Sequence, residues 1–330
     1  MVKAAILAPV ATVERVYTPE HRQRIASRCD LFPQIIAPDR MNEYLTAIGE
    51  TEVIFSTWGM PRLTPSQLDA LTKLRVVFYA AGSVQGFAPS LLERGITVVS
   101  AWHANAVPVS EFVLSQILLA GKGYFRNLRE YTGAPGSFPA AYRGPGNHHT
   151  TVALLGYGAV GRAVRALLRP FRLSVLVYDP FLDPAVAVEH DVEPVTIEAA
   201  FERSVVVSNH LADKPEIAGR IRADLLRRLP NGGVFINSGR GRTVSESDLA
   251  EVMAERPDLT ALLDVTHPEP AAPDSPLHRL PNVLISTHIA GPIGAECGLL
   301  ADLCVEEFDR YLVGEPLRHR VTAEMLPRLA

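Results

Sequence analysis

The sequence predicts an α/β protein built from two doubly wound parallel-sheet domains. Short apolar stretches with the composition of buried strands alternate with helical stretches along most of the chain, and such alternation is typical of parallel sheets covered by helices on both faces. A loop at 132–150, rich in glycine and proline, interrupts the alternation. The length of 330 residues fits two domains of ordinary size.

The first part of the chain carries four predicted strands and two clear helices. We place the strands at 4–8, 53–56, 76–80 and 97–99, and the helices at 65–72 and 89–94. A long apolar-periodic helix follows over 109–131. Pro108 lies near its start, which is a position where proline is tolerated.

The second part of the chain has a more regular pattern. Its predicted strands lie at 151–155, 174–178, 205–208, 233–237, 260–264 and 283–286. Six strands separated mostly by helices predict a complete doubly wound nucleotide-binding domain. No predicted strand follows the final helix at about 295–312, and one location for this helix is against the first domain.

Composition and charge exclude several classes of partner. The formal net charge is only −4, so no overall basic field predicts nucleic acid or an anionic membrane as a partner. We identify no run of the ~20 apolar residues that span a bilayer. Cys29, Cys297 and Cys304 are odd in number and lack paired spacing, so neither a disulfide framework nor a metal site is expected. These features predict a protein of the reducing cytoplasm.

A glycine-rich motif marks the predicted cofactor site. Its residues, which match G-x-G-x-x-G between an apolar strand and an amphipathic helix, are Gly156, Tyr157, Gly158, Ala159, Val160 and Gly161. The first glycine permits a tight turn, the second lets the backbone approach a pyrophosphate, and the third lets helix and strand pack closely. The context predicts a Rossmann domain that binds a dinucleotide.

Asp179 indicates which dinucleotide is bound. It ends the second strand of this domain, where a carboxylate can accept hydrogen bonds from ribose hydroxyls and repel a 2′-phosphate. NAD is therefore the predicted cofactor. The predicted cofactor-binding set also includes His210 and Ser238. The alternative interpretation is a glycine turn followed by a surface aspartate.

Three polar residues follow consecutive strands of the same domain. Arg240 follows the fourth strand, Glu269 the fifth and His288 the sixth. Ligands of open parallel sheets bind beyond the carboxyl ends of the strands, so loops leaving neighbouring strands can bring these side chains together. Each residue alone could instead be a surface cation, a loop carboxylate or a core histidine.

The three side chains suit the interconversion of a 2-keto acid and a 2-hydroxy acid. An arginine fork can bind a carboxylate through two hydrogen bonds and polarise a nearby carbonyl. A histidinium can donate the proton that the carbonyl oxygen needs after hydride addition. A buried glutamate beside the histidine would stabilise the imidazolium and orient the ring.

At these residues the sequence resembles the D-isomer-specific 2-hydroxyacid dehydrogenases. The resemblance covers nearly the whole chain and is densest over 151–291. The motifs that carry it are the glycine motif, Ile236 to Gly241, Asp264 to Pro270 with Ser275-Pro276-Leu277, and Pro281-Asn282-Val283 running to His288 and Gly291.

The resemblance implies roles for individual residues. It assigns substrate binding to Arg240 and the acid–base pair to Glu269 and His288, which also contacts the substrate. It places Asp264 against the nicotinamide carboxamide. Backbone N–H groups of the loop Ala81, Gly82 and Ser83 would hold the substrate carboxylate.

The resemblance also implies a domain organisation and an assembly. A flavodoxin-like substrate domain would comprise 1–102 plus 291–330, and the NAD-binding domain would span 103–290. We expect a homodimer formed through the helix at 109–131. One face of that helix, apolar except for Gln116, needs burial, and burial inside the same chain is the alternative. Its residues are Val109, Phe112, Val113, Gln116, Ile117 and Ala120.

Other functions stay open beside the leading one. Phosphite dehydrogenases resemble this chain in using a similar Arg, Glu and His set. Formate dehydrogenases of this fold place glutamine where Glu269 stands. A binding protein that senses NADH, such as a corepressor of this fold, keeps the same residues. Trp58 is expected to pack in the first domain, with lining of the substrate pocket as the alternative.

Overall fold

The computed structural model describes residues 1–328 and divides the chain into two compact units. One unit comprises Met1–Asn105 with the described part of Pro292–Ala330, and the other comprises Ala106–Gly291. Each has its own largely parallel sheet, so the predicted fold class is confirmed. The assignment of 1–102 plus 291–330 to the substrate and of 103–290 to the cofactor stays a prediction.

The described residues form thirteen strands and fourteen α-helices. The strands are β1 (Lys3–Leu7), β2 (Asp30–Ile36), β3 (Val53–Ser56), β4 (Val76–Tyr79), β5 (Thr97–Ser100), β6 (His148–Leu155), β7 (Arg172–Tyr178), β8 (Glu193–Pro194), β9 (Val206–Asn209), β10 (Val234–Asn237), β11 (Thr260–Leu263), β12 (Val283–Ile285) and β13 (Arg320–Val321). The helices are α1 (Val10–Val16), α2 (Pro19–Ala26), α3 (Met41–Ile48), α4 (Pro65–Ala70), α5 (Ala88–Leu92), α6 (Trp102–Gly121), α7 (Tyr124–Glu130), α8 (Ser137–Ala140), α9 (Ala159–Leu168), α10 (Pro184–Glu189), α11 (Ile197–Arg203), α12 (Ala223–Leu226), α13 (Glu246–Glu255) and α14 (Cys297–Leu312).

The sheet of the first unit has the strand order β13-β5-β4-β3-β1-β2. Strands β1 to β5 run parallel in the flavodoxin-like order 2-1-3-4-5, and β13 adds antiparallel to β5. The sequence analysis missed β2 and β13, which form the two edges. Strand β2 contains Pro33 and is mostly not buried, so it lacks the apolar run of an interior strand.

Helix α14 packs onto the first unit and completes its core. Phe55 and Phe78 project from neighbouring strands toward one face of the sheet, where both rings contact Phe308 of α14 at centroid distances of 5.1 and 5.8 Å. Ile54 and Val77, next along the same strands, are buried on the other face. The final helix therefore returns to the first unit.

The sheet of the second unit has the order β12-β11-β10-β9-β6-β7-β8, with all strands parallel. Counted from β6, this is the Rossmann order 3-2-1-4-5-6 with one further strand. The prediction of six strands missed β8. That strand has only two residues, both exposed, and lies at the edge of the sheet.

The predicted helix at 109–131 is wrong in its bounds, because it is two helices. Helix α6 starts at Trp102, with Pro108 inside it, and α7 starts only after Gly123, which has a φ of +75°. Backbone N–H groups of Gly144 and Gly146 donate to the carbonyls of Lys122 and Gly121 at 3.0 and 2.7 Å. These carbonyls would otherwise continue the helix, so it ends there.

The predicted dimer face of this segment is also wrong. Val109, Val113, Ile117 and Ala120 are buried in the core of their own unit, as the alternative had it. Helix α6 is long and apolar enough by length and composition to cross a membrane, which the sequence analysis did not anticipate, but half of its most apolar window is buried inside the structure. Core helices pass the same test, so this is weak evidence for a membrane span.

The predicted loop at 132–150 contains α8 and the start of β6. Three contacts of Tyr142 with α7 hold the two ends of residues 131–141 together. The N–H of Tyr142 donates to Glu130 Oε2 at 2.6 Å, its carbonyl accepts from Asn127 Nδ2 at 2.7 Å, and its ring lies 4.4 Å from the Arg126 guanidinium. Residues 131–141 therefore form a loop whose two ends lie next to each other.

We predict that Phe308→Ala lowers the free energy of unfolding of the first unit by about 3–5 kcal/mol, because it leaves a cavity between the Phe55 and Phe78 rings. Chemical denaturation followed by circular dichroism measures the change. Leu299→Ala on the exposed side of α14 is the control and should change stability by about 0.5 kcal/mol or less. Equal effects of the two substitutions would contradict the placement of α14.

Candidate active site

The glycine motif forms the turn between β6 and α9. Gly156 has a φ of +90°, and a Cβ on it would lie 2.6 Å from the carbonyl oxygen of His210. A Cβ on Gly161 would overlap the carbonyl of Gly156. No described atom lies within 4 Å of a Cβ built on Gly158, so its face is open. The three glycines thus have the three properties that a pyrophosphate-binding turn requires.

The start of α9 offers donors to an anion. Gly158 is the N-cap and supplies no side-chain acceptor for the N–H groups of the first turn. Unpaired N–H groups and the positive end of the helix dipole favour phosphate at this place. The side chain of Tyr157 is buried, with its hydroxyl 3.0 Å from His190 Nδ1, so Tyr157 presents its backbone to the turn.

Asp179 follows β7 and binds the glycine turn directly. Its Oδ2 accepts from the N–H of Tyr157 at 2.6 Å and its Oδ1 accepts from the N–H of Phe181 at 2.8 Å. The carboxylate is therefore held beside the turn, where the sequence places the ribose. Its contact with a ribose stays a prediction.

Two further predicted cofactor residues carry buried polar atoms without a hydrogen-bond partner among the described residues. These atoms are Nδ1 of His210 and Oγ of Ser238. Burial lowers the pKa of His210 to about 4, so the imidazole is neutral near pH 7. Its Nε2 lies 3.0 Å from Ser208 Oγ. Unpaired polar atoms together with the open glycine turn fit a dinucleotide that supplies the missing partners.

Arg240 lies in the turn that follows β10. Its guanidinium is partly exposed and donates from Nη1 to the carbonyl of Gly239 at 2.8 Å. The next residue, Gly241, has no room for a Cβ, because the backbone of Thr266 occupies that space. Glycine at this position lets the turn after β10 pack directly against the loop after β11.

His288 and Glu269 form a direct contact, as their predicted pairing requires. His288 Nδ1 lies 2.5 Å from Glu269 Oε1. The expectation of a buried glutamate is wrong, because 44% of the Glu269 side chain and 49% of the His288 side chain are exposed. The pair is accessible to a small molecule. His288 also has a φ of +58°, which is uncommon for a residue other than glycine.

Asp264 holds the backbone around His288. Only 3% of it is exposed, and its carboxylate accepts from Ser286 Oγ at 2.6 Å and from the N–H groups of Ile289 and Ala290 at 2.9 Å each. Its carbonyl accepts from the N–H of His288 at 3.0 Å. These bonds fix the left-handed backbone at His288 and engage both carboxylate oxygens. The predicted contact of Asp264 with nicotinamide stays a prediction.

Glu246 holds the loop that carries Glu269. Its Oε1 accepts from the N–H of His267 at 2.5 Å, and burial raises its pKa. Thr266 Oγ1 donates to the carbonyl of Pro268 at 2.8 Å.

Sequence reasoning missed Glu246, and it also missed the buried Asn209 and Thr243 beneath the Arg240 turn. Nothing in the spacing of these residues distinguishes them from ordinary strand and helix positions.

The predicted substrate residues of the first unit follow β3 and β4. Ser100 Oγ donates to the carbonyls of Ala81 and Gly82 at 2.9 and 2.8 Å, while Ser83 is exposed. Trp58 packs against the core of its unit, and the Arg15 guanidinium lies 4.5 Å from its ring centroid. The packing of Trp58 agrees with the expectation. The contacts of these four residues with substrate stay predictions.

Comparison with known sequences identifies a family and several relatives. The family model of the D-isomer specific 2-hydroxyacid dehydrogenase NAD-binding domain matches residues 120–290. The chain is 29% identical to D-3-phosphoglycerate dehydrogenase of Mycobacterium tuberculosis over 256 residues, which cover 76% of this chain and 47% of the relative. It is 27% identical to glyoxylate reductase of Korarchaeum cryptofilum over 294 residues, 88% of each chain. The chain spans about half the length of the phosphoglycerate dehydrogenases it matches.

Solved structures share the fold. D-mandelate dehydrogenase of Rhodotorula graminis superposes with a TM-score of 0.81 at 19% identity, with 97% of each chain covered. A phosphoglycerate oxidoreductase of Rhizobium etli superposes with a TM-score of 0.79 at 23% identity, with 97% of this chain and 98% of that chain covered.

The family match covers just over half of the chain and includes the glycine turn, Asp179 and the three strand-end residues. The predicted NAD cofactor and the resemblance are both confirmed by it. The chain belongs to the D-isomer specific 2-hydroxyacid dehydrogenase family, and residues 120–290 are its NAD-binding domain.

Proposed function

We propose that this chain is an NAD-dependent oxidoreductase that interconverts a small 2-keto acid and a D-2-hydroxy acid. The observation that carries the proposal is the 2.5 Å contact between His288 Nδ1 and Glu269 Oε1, in loops that leave the carboxyl edge of the sheet next to the Arg240 turn. Perturbed or paired acid–base groups beside a cofactor site are typical of catalytic centres.

His288 is the proposed proton donor and acceptor. With Nδ1 engaged by Glu269, the ring presents Nε2 to a substrate, and the carboxylate fixes the ring orientation and stabilises its protonated form. Reduction places negative charge on the carbonyl oxygen, which Nε2–H can neutralise by donating its proton. The reverse direction returns that proton to Nε2. Bound NADH supplies the hydride.

Arg240 is the proposed substrate anchor. Its planar guanidinium can donate two parallel hydrogen bonds to a carboxylate. The backbone of Ala81, Gly82 and Ser83 is proposed to contact the same carboxylate, on the strength of the resemblance alone. Among the relatives, the names glyoxylate reductase and hydroxypyruvate reductase favour a short 2-keto acid.

We further propose a cytoplasmic protein without a nucleic-acid or membrane partner. The three cysteines are buried free thiols, and the net charge is slightly negative. Among the described residues, no group of three His, Cys, Asp or Glu side chains could hold a metal ion.

We predict that Asp179 makes kcat/KM higher for NADH than for NADPH, because its carboxylate repels a 2′-phosphate. Asp179→Ala should narrow the difference, chiefly by weakening use of NADH, since it also removes the acceptor for the Tyr157 N–H. Steady-state kinetics with both cofactors measures the ratio, and Asp183→Ala at the exposed N-cap of α10 is the control. Equal use of both cofactors by the unmodified chain would refute the assignment.

The catalytic assignment predicts distinct losses for His288 and Arg240. A panel of glyoxylate, hydroxypyruvate, pyruvate, phenylpyruvate and branched 2-keto acids with NADH first identifies a good substrate. His288→Ala should then lower kcat by about 10²–10⁴-fold, the usual contribution of a general acid. Arg240→Ala should raise KM steeply and lower kcat/KM by about 10²-fold, because each hydrogen bond to a charged group contributes about 1.5–3 kcal/mol. Arg240→Lys should recover little of it.

Two matched variants serve as controls for this experiment. His278→Ala and Arg228→Ala remove an exposed imidazole and an exposed guanidinium elsewhere in the same unit and should leave kinetics unchanged. NADH affinity, followed by fluorescence, should survive all four alanine substitutions. Wild-type rates in His288→Ala, with a deuteride isotope effect showing that chemistry limits the rate, would disprove the acid–base role. Tight NADH binding without turnover of any keto acid would favour a sensor protein.

We predict a homodimer formed through residues 107–138, which include the segment 109–131 but present other side chains than those expected from the sequence. Exposed large apolar residues in α6, α7 and α8 and at the C-cap of α7 are Val107, Leu119, Tyr124, Leu128, Tyr131 and Phe138. Such a concentration favours a protein contact. Light scattering at micromolar concentration should give twice the monomer mass, and Leu128→Glu should shift it toward the monomer. Val188→Glu, on an exposed residue of α10, should not, and a monomeric unmodified chain would reject the dimer.

A further inference from the structure

Three buried polar side chains lie beneath the turn that carries Arg240. Asn209 ends β9, Asn237 ends β10, and Thr243 follows the turn; each is at most 1% exposed. We call these three the amide–hydroxyl network. Buried amides and hydroxyls are unfavourable unless they are hydrogen-bonded, so their partners reveal what they stabilise.

Asn209 supplies the donors of the network. Its Nδ2 donates to Asn237 Oδ1 at 2.9 Å and to Thr243 Oγ1 at 2.8 Å, which uses both of its N–H bonds. Because Thr243 Oγ1 accepts this bond, its own hydrogen is free to point onward. It donates to the carbonyl of Arg240 at 2.8 Å.

Asn237 connects the network to the backbone of Gly239 and Arg240. Its Nδ2 donates to the carbonyl of Arg240 at 3.3 Å, and its Oδ1 accepts from the N–H of Gly239 at 3.2 Å. The Arg240 carbonyl thus receives side-chain donors from Thr243 and Asn237. The network therefore holds the peptide group that follows the Arg240 Cα and the peptide group between residues 238 and 239, while the Arg240 side chain stays partly exposed.

We infer that Asn209 and Thr243 are positioning residues for Arg240. This inference rests on the proposed role of Arg240 as the substrate anchor. The network fixes the backbone from which the guanidinium projects, so the fork meets the substrate carboxylate without first ordering the turn. The hydrogen-bond chain runs from the Asn209 amide through the Thr243 hydroxyl to the Arg240 carbonyl, and at 2.8 Å the hydroxyl donates the shortest bond that this carbonyl accepts, ahead of Asn237 Nδ2 and the Thr243 N–H at 3.3 Å each.

A purely stabilising role for the network makes different predictions. Asn282 offers the comparison, because it is also buried in this unit and its Nδ2 donates to the carbonyls of Met253 and Arg256 at 2.8 and 3.1 Å. It lies at the amino end of β12, away from the strand ends that carry the active site. A variant of Asn282 loses comparable buried hydrogen bonds without touching the Arg240 turn.

The test compares Thr243→Val, Thr243→Ser and Asn282→Ala in the full chain. Thr243→Val keeps the side-chain shape but removes the hydroxyl. We expect it to raise KM for the keto acid about tenfold or more, because small misplacement of a binding group is costly, with a smaller change in kcat and little change in NADH affinity. Thr243→Ser should restore KM. Asn282→Ala should lower the melting temperature without changing KM.

Two readouts need no turnover and separate this inference from the proposed function. Hydrogen–deuterium exchange should quicken in the peptide spanning 238–244 in Thr243→Val alone. Modification of Arg240 by butanedione, followed by mass spectrometry, should also quicken in that variant alone. If the unmodified chain reduces no keto acid, the proposed function fails, and these two readouts still decide the network. Unchanged exchange and reactivity in Thr243→Val, or an equal KM change in Asn282→Ala, would overturn the inference.

Discussion

The arrangement of the candidate active site depends on one buried carboxylate. Asp264 accepts three hydrogen bonds from the segment 286–290, and its carbonyl accepts a fourth from His288. A buried charge is tolerable only when such donors surround it. The same bonds hold His288 in a left-handed backbone conformation that it would rarely adopt otherwise. In that conformation its Nδ1 contacts Glu269, so the proposed acid–base pair depends on the hydrogen bonds that Asp264 accepts.

Each proposed catalytic or substrate-binding side chain is partly exposed, and the backbone that carries it is fixed by a different side chain. Asp264 acts on the His288 loop and Glu246 on the Glu269 loop, and the amide–hydroxyl network acts on the Arg240 turn. Gly241 contributes by lacking a side chain, which lets the Arg240 turn pack directly against the backbone of Thr266. Catalysis that depends on geometry requires functional groups held in place by such supporting contacts.

The sequence was sufficient for the interior of both sheets and for placing Arg240, Glu269 and His288 after consecutive strands, because both leave local patterns. It failed at β2, β8 and β13, which are edge strands that lack a continuous apolar run. It failed on the helix at 109–131, since a helical period does not say which partner covers the apolar face or where another segment ends the helix. It could not find Asn209 or Glu246, whose importance lies in contacts between residues far apart in the chain.

The contacts of Tyr142 with α7 affect how the length of this protein can change over evolutionary time. Because Glu130 binds the N–H of Tyr142 and Asn127 binds its carbonyl, the two ends of residues 131–141 are held at a fixed point of the domain. Lengthening such a segment adds only a slowly growing entropic penalty, about 0.6 kcal/mol for each doubling. Insertions and deletions at 131–141 should leave the nucleotide-binding core undisturbed, so descendants of this chain could change the proposed dimer contacts of Tyr131 and Phe138 while that core keeps its structure.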